Sequence, residues 1–135
     1  MNEKPNLIVE YPREYRMTAG GGLTLSNLAM SELDWIKGTS QCEQYLDLEN
    51  QRALLIAPEN GFGEMPKEEA GRLWPSFRLW PITTGGFIAI DARIRNKLCW
   101  EPGMIFTQVL DRRVPGIWIQ ALTPGTINVR ERNNQ

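Results

Sequence analysis

The chain has 135 residues, 41% of them hydrophobic and five of them Trp, enough to bury a moderate core and to exclude a disordered polymer. It contains no His, which removes the commonest general base and metal ligand and, with only two Cys in no zinc spacing, argues against a metal site and most hydrolase mechanisms. Net charge is −1, yet residues 1–65 hold five Lys/Arg against ten Asp/Glu while residues 66–135 hold ten against six, so a basic second half faces an acidic first half.

No apolar run reaches the roughly 20 residues that cross a bilayer. The first fifteen residues, MNEKPNLIVEYPREY, carry a three-residue apolar run among acidic residues, unlike a secretory leader. A cytoplasmic protein without membrane contact is expected. Cys42 and Cys99 read as structural thiols.

In chain order, residues 6–9 (NLIV) suggest an edge strand that Pro12 stops. Residues 13–17 then enter a hairpin at Gly20, Gly21 and Gly22, where positive φ is free of steric cost. The hairpin leaves through the alternating Leu23, Thr24 and Leu25. Ser26-Asn27 caps a helix of about two turns, with Leu28 and Leu33 as its apolar positions, and Trp35-Ile36-Lys37-Gly38 ends it. Strands over 40–46 and 53–57 flank Glu49-Asn50-Gln51.

The linker, residues 58–77, holds a short helix that starts at Pro66 with early Glu68 and Glu69 and halts at Pro75. Leu73 and Trp74 are expected to dock on the body. After Trp80-Pro81, which belongs on an edge or a bulge, a second hairpin enters at Gly85-Gly86. Phe87 to Ile90 alternate as a strand, Asp91 caps a helix with Ile94 and Leu98 on one face, and Trp100-Glu101-Pro102-Gly103 ends it. Strands over 104–110 and 117–122 flank the turn 111–116. In the tail, residues 123–135, a further edge strand is expected over 126–129 and disorder beyond it.

The two halves share one pattern. An offset of 65 sets Gly21 on Gly86, Leu23 on Ile88, Leu25 on Ile90, Leu33 on Leu98, Trp35 on Trp100 and Gly38 on Gly103. After the next strand the offset is 64, and Asp47 falls on Asp111. Apolar positions, glycines and a tryptophan recurring in order indicate two copies of one supersecondary unit, residues 13–57 and 78–122. Two copies are too few for a solenoid and suit face-to-face packing about a pseudo-twofold axis. The expected fold is mainly β with short helices, an α+β class, in which two β-β-α-β-β repeats close one pseudo-dimeric barrel in a single domain.

The motif GGFIAID-ARIRNKL-CWEPG-MIFTQVL in the second unit, and its weaker match in the first, resembles the SpoVT/AbrB family of swapped-hairpin DNA-binding domains. Two units in one chain resemble the tandem, MraZ-like arrangement. The resemblance implies a transcriptional regulator that binds duplex DNA through Arg-bearing hairpin and helix edges. Of the family's contacts, Arg16 on the entering strand and Arg95 on the second helix have counterparts here. The Arg that usually follows the hairpin glycine is replaced by Gly22 and Phe87, and the acidic residue four places earlier by Thr18 and Thr83.

The expected DNA-binding residues are Arg13, Arg16, Arg78, Arg93, Arg95 and Lys97. The first helix has Leu28, Met30 and Glu32 where the second has its cations, so binding should depend on the second unit. The other reading is an antitoxin-like protein-binding or assembly module that has lost DNA affinity and uses exposed Trp, Phe87 and the acidic half. A homo-oligomer is compatible with either. No catalytic residue, metal, cofactor or small-molecule substrate is expected; Asp47 and Asp111 are the matched carboxylates, and hairpin turns account for both.

Overall fold

Two central strands explain why the apolar runs are continuous. Residues 8–122 are described by a computed structural model, in which β4 (Arg52–Ile56) and β8 (Gly116–Ala121) pair antiparallel in the middle of a six-stranded sheet. Side chains alternate across a strand. Ala53, Leu55, Ile117 and Ile119 therefore enter one core, and Leu54, Ile56 and Trp118 enter another on the opposite face. With both faces covered, neither strand needs a polar side.

The remaining strands are β1 (Ile8–Arg16), β2 (Gly22–Thr24), β3 (Gln41–Asp47), β5 (Trp74–Pro81), β6 (Phe87–Ala89) and β7 (Ile105–Asp111). The helices are α1 (Asn27–Leu33), α2 (Lys67–Ala70) and α3 (Ala92–Leu98). The large sheet runs β1-β7-β8-β4-β3-β5, and β2 pairs with β6 in a separate two-stranded ribbon. Each half lends its first strand to the third strand of the other: β1 lies on β7, and β5 on β3.

The fold is mainly β with short helices, but the sheet is open, not the expected barrel. β1 and β5 end it on opposite sides. Both carry prolines, Pro12 in β1 and Pro75 and Pro81 in β5, and a residue without an N–H belongs on an edge. Both also lose register, β1 between Tyr11 and Tyr15 and β5 opposite Glu43 to Tyr45. Two expected boundaries move for the same reason. β1 passes through Pro12 in place of stopping there, and β5 begins at Trp74, before Pro75, because an edge tolerates the missing donor. Residues 126–129, read as a further strand, lie outside the described residues.

The larger core lies between the sheet, the ribbon and the helices α1 and α3. Leu23, Leu25, Ile88, Ile90, Trp35 and Trp100 are buried there, with Leu33 and Leu98 packed against it. Leu28, expected on the inner face of α1, is 68% exposed, and Ala29 and Met30 take that place. Ala29 is the counterpart of Ile94, so the offset of 65 identifies the inner position and the i,i+5 spacing of Leu28 and Leu33 does not. The second core is covered by the linker: Met65 and Leu73 pack on Trp118, with Phe62 edge-on to Tyr45. Trp74, expected to dock beside Leu73, is 55% exposed, because strand alternation turns it to the other side.

Local signals match between the halves. Ser26 Oγ accepts from the Ala29 amide at 3.2 Å and the Asp91 carboxylate from the Arg93 amide at 2.7 Å, capping α1 and α3. Asp34 and Cys99 close these helices at φ 60 and 57. Gly38 and Gly103 follow at φ 79 and 91, and their amides donate across the halves, to Ile82 and Met17 carbonyls respectively.

Candidate nucleic-acid interface

Four of the six expected contact residues gather on one side. Arg78 on β5 and Arg93 and Arg95 on α3 line a groove of about 510 Å³ that includes Trp80. Arg93 and Lys97 border an adjoining apolar cavity of about 350 Å³. Arg93 and Lys97 stand one turn apart on α3, Arg95 lies between them, and the bond from Arg93 to the Ser76 carbonyl ties the helix to β5. Arg13 and Arg16, on the opposite edge strand β1, line neither cavity.

Each cation is held differently. The Arg93 guanidinium bonds Asp91 at 3.0 Å and also donates to the Ser76 carbonyl, while its side chain stays 63% exposed. Burial pushes the Asp91 carboxyl up, but bonds from Arg93 outweigh this and hold it below the ordinary carboxylate value. Arg95 Nε donates to the Ile90 carbonyl at 2.9 Å. Arg78 lies 4.6 Å over the Trp80 ring, and Arg13, 65 positions earlier, lies 5.6 Å over Tyr15. Arg16 Nη1 donates to the Gly103 carbonyl at 2.9 Å.

The glycine hairpin approaches the protein itself. A Cβ on Gly21 would stand 2.5 Å from the Arg95 guanidinium, and one on Gly22 2.3 Å from the Phe87 ring. Gly21, at φ 84, is needed both for the turn and for Arg95. Phe87, read as an exposed contact, is half-buried against this hairpin, because Gly22 leaves it room.

On the first half the corresponding surface is not cationic. Leu28 is exposed and Glu32 is bonded by Arg112 at 2.8 Å, which lowers the Glu32 carboxyl below its ordinary value. The contrast between the cations of α3 and the Leu28 and Glu32 of α1 is thus kept in the fold, although Arg112 of the second half crosses to Glu32.

Two polar devices escaped the sequence reading. Gln44, buried in β3, accepts from the Asp91 amide and donates to the Ala89 carbonyl, each at 2.7 Å. Gln108, buried in β7, makes the same pair of bonds to Ser26 and Thr24 at 2.8 and 2.7 Å. Each glutamine clamps the strand-to-helix junction of the other half. They stand 64 apart, the offset that relates Asp47 to Asp111, and that recurrence was the available signal.

The second device surrounds Glu69 of α2, which receives Arg52 at 3.1 Å and Arg113 at 3.3 Å. Those arginines also bind Asp47 at 2.9 Å and Asp111 at 2.7 Å, and Arg52 lies 3.5 Å over Trp118. Asp111 also accepts from Trp118 Nε1 at 2.9 Å. Both aspartates are fully buried at hairpin turns. They anchor the linker to the sheet.

Cys42 is buried and Cys99 exposed, both as free thiols, and burial with Glu59 nearby pushes the Cys42 thiol up to about 12. Among the described residues no group of three His, Cys, Asp or Glu is placed to hold a metal, and no helix is long and apolar enough to cross a membrane. No protein-family model matches the chain, and searches of curated proteins and of solved structures found no match.

Proposed function

We propose that this protein is a cytoplasmic DNA-binding regulator of the SpoVT/AbrB type, in the tandem MraZ-like arrangement, built as an intrachain pseudo-dimer of two swapped-hairpin repeats. It works by binding and not by catalysis. The observation that carries the reading is the convergence of Arg78, Arg93 and Arg95 on one groove with Lys97 beside it. In a chain of net charge −1, such a cluster draws polyanions to one face.

The repeat is supported by the strand order, which is unchanged when each strand of one half is exchanged for its counterpart. Equal positive φ at Gly21 and Gly86, 84 and 82, supports it too, as do the crossed glutamine clamps. Duplex phosphate lies against α3 and β5, and Arg13 and Arg16 add a weaker contact from β1. Gly22 and Phe87 stand where the family carries its hairpin Arg, so base readout is reduced and sequence preference is weak.

Binding to arbitrary duplex DNA as a function of salt tests this reading. Tight, salt-sensitive binding that Arg93→Ala and Arg95→Ala weaken supports it, and no binding at low salt rejects it. The second reading, a protein-binding module, is favoured by the first half, where Leu28 and Ile36 are 68% and 60% exposed beside Glu32 and Asp34. That surface suits a largely apolar partner with a cation for Asp34, and this reading takes precedence if duplex binding is absent.

A further inference from the structure

The bulge in β5 is unexplained by duplex binding alone. Between the pairs Tyr45–Pro75 and Glu43–Leu79 the strand loses register, and Phe77 within that gap adopts φ 63. A bulky residue is strained in the left-handed region. Burial does not compensate, since Phe77 is 84% exposed. Trp74, 55% exposed, borders with it the cavity of about 350 Å³ whose lining also includes buried Leu46 and Ile94 and exposed Arg93 and Lys97.

A second observation points to the same place. Among the described residues two buried side-chain polar atoms lack a hydrogen-bond partner, Ser76 Oγ and Trp80 Nε1. Both residues line the neighbouring groove, with Phe77 and Arg78. Ser76 is 4% exposed, and a buried hydroxyl without a partner calls for a group that completes it. The two linings together carry Arg78, Arg93, Arg95 and Lys97 against one carboxylate, Asp91, which Arg93 already binds. The fitting ligand is therefore an anion that bears a planar ring with polar edges.

We propose that this bulge takes an unpaired nucleotide of a nucleic acid, its base stacked on Phe77 beside Trp74 and its phosphate against Arg93 and Lys97. Every base has a π-face on which an exposed aromatic can stack, but that face is free only where the base has left its own stack. The inference rests on the DNA-binding reading, because it uses the same cations. It adds that distorted or locally opened DNA is preferred to intact duplex.

The test compares a labelled duplex with the same duplex carrying one internal unpaired nucleotide, by anisotropy at low salt. Wild type should bind the second about tenfold more tightly, the worth of one stacked base. Phe77→Ala and Trp74→Ala should each cut that ratio severalfold. Phe77→Gly, which relieves the positive φ and keeps the fold, should cut it as well, so that unfolding is not the cause. Leu48→Ala, at an exposed apolar residue of the other half, should keep it. Equal wild-type affinity for the two DNAs overturns the inference and leaves the regulator reading standing, whereas no binding to either overturns both. A wild-type dimer that Phe77→Ala dissolves would assign the bulge to a second copy of the chain and also overturn it.

Discussion

Gly38 and Gly103 are the residues whose backbone the sequence specifies most directly. The step from Trp to Gly three positions on implies one turn at the end of each helix, and both glycines stand at positive φ, 79 and 91. They differ in surroundings. A Cβ at Gly38 would lie 2.8 Å from Thr84 Cγ2, while at Gly103 nothing lies within 4 Å. Replacing Gly103 by Val should cost on the order of 1 kcal/mol from strain alone, and Gly38 more. Unchanged thermal midpoints in both variants would contradict this. Asp34 and Cys99 adopt left-handed φ as well but were not legible, since neither is the glycine that ordinarily announces such a cap. Asp47 and Asp111 carry a pH prediction. Burial raises each carboxyl, but bonds from Asn50 and Arg52, and from Arg113 and Trp118, outweigh it and hold both below the ordinary 3.8. A folded pKa below the unfolded one gives stability that is complete above the unfolded value and is lost as pH falls through the folded value. Acid titration of stability should therefore show a loss below about pH 4 that the double Asn variant flattens; an unaltered acid limb would refute it.

At the scale of elements, the strands and two-turn helices were readable because alternation and capping are local. The inner face of α1 was misread, since Leu28 is apolar yet exposed and small Ala29 does the packing. What joins the elements was harder to see. Gln44 and Gln108 sit in strands that otherwise look apolar, and their partners lie 45 and 47, and 82 and 84, positions away in the other half, a pairing no local window contains. Replacing either by Leu leaves a carbonyl and an amide of the opposite junction without partners in a buried setting. We expect about 1–3 kcal/mol of destabilisation for each substitution, measured by denaturant unfolding. A loss of only a few tenths in both would show that water satisfies these junctions equally well.

For the whole molecule, the open sheet is the feature that the repeat pattern could not supply. Pairing two like units predicts their exchange of strands but not whether the outer strands meet, which depends on twist and register between residues far apart in sequence. The prolines of β1 and β5 were the one sequence signal for edges: Pro81 was read as belonging on an edge or a bulge, and β5 is an edge strand, whereas Pro12 and Pro75 were taken as boundaries. Charge was more legible: the cations of α3 were singled out as the second half's distinguishing feature, and three of the four basic residues on that side come from this helix. The companion pair on β1, Arg13 and Arg16, was grouped with these cations as expected DNA contacts, and its separation from the groove follows only from the strand order. The central claim is thus a face-specific one, and salt-dependent duplex binding by wild type and by the Arg93→Ala, Arg95→Ala variant tests it most directly. The account predicts wild-type binding near 50 mM salt with a steep loss as salt rises, and a slope of log affinity against log salt that the variant flattens by about 1.8, or 0.9 per phosphate contact. No wild-type duplex binding at that salt, or the same slope in both proteins, would contradict it.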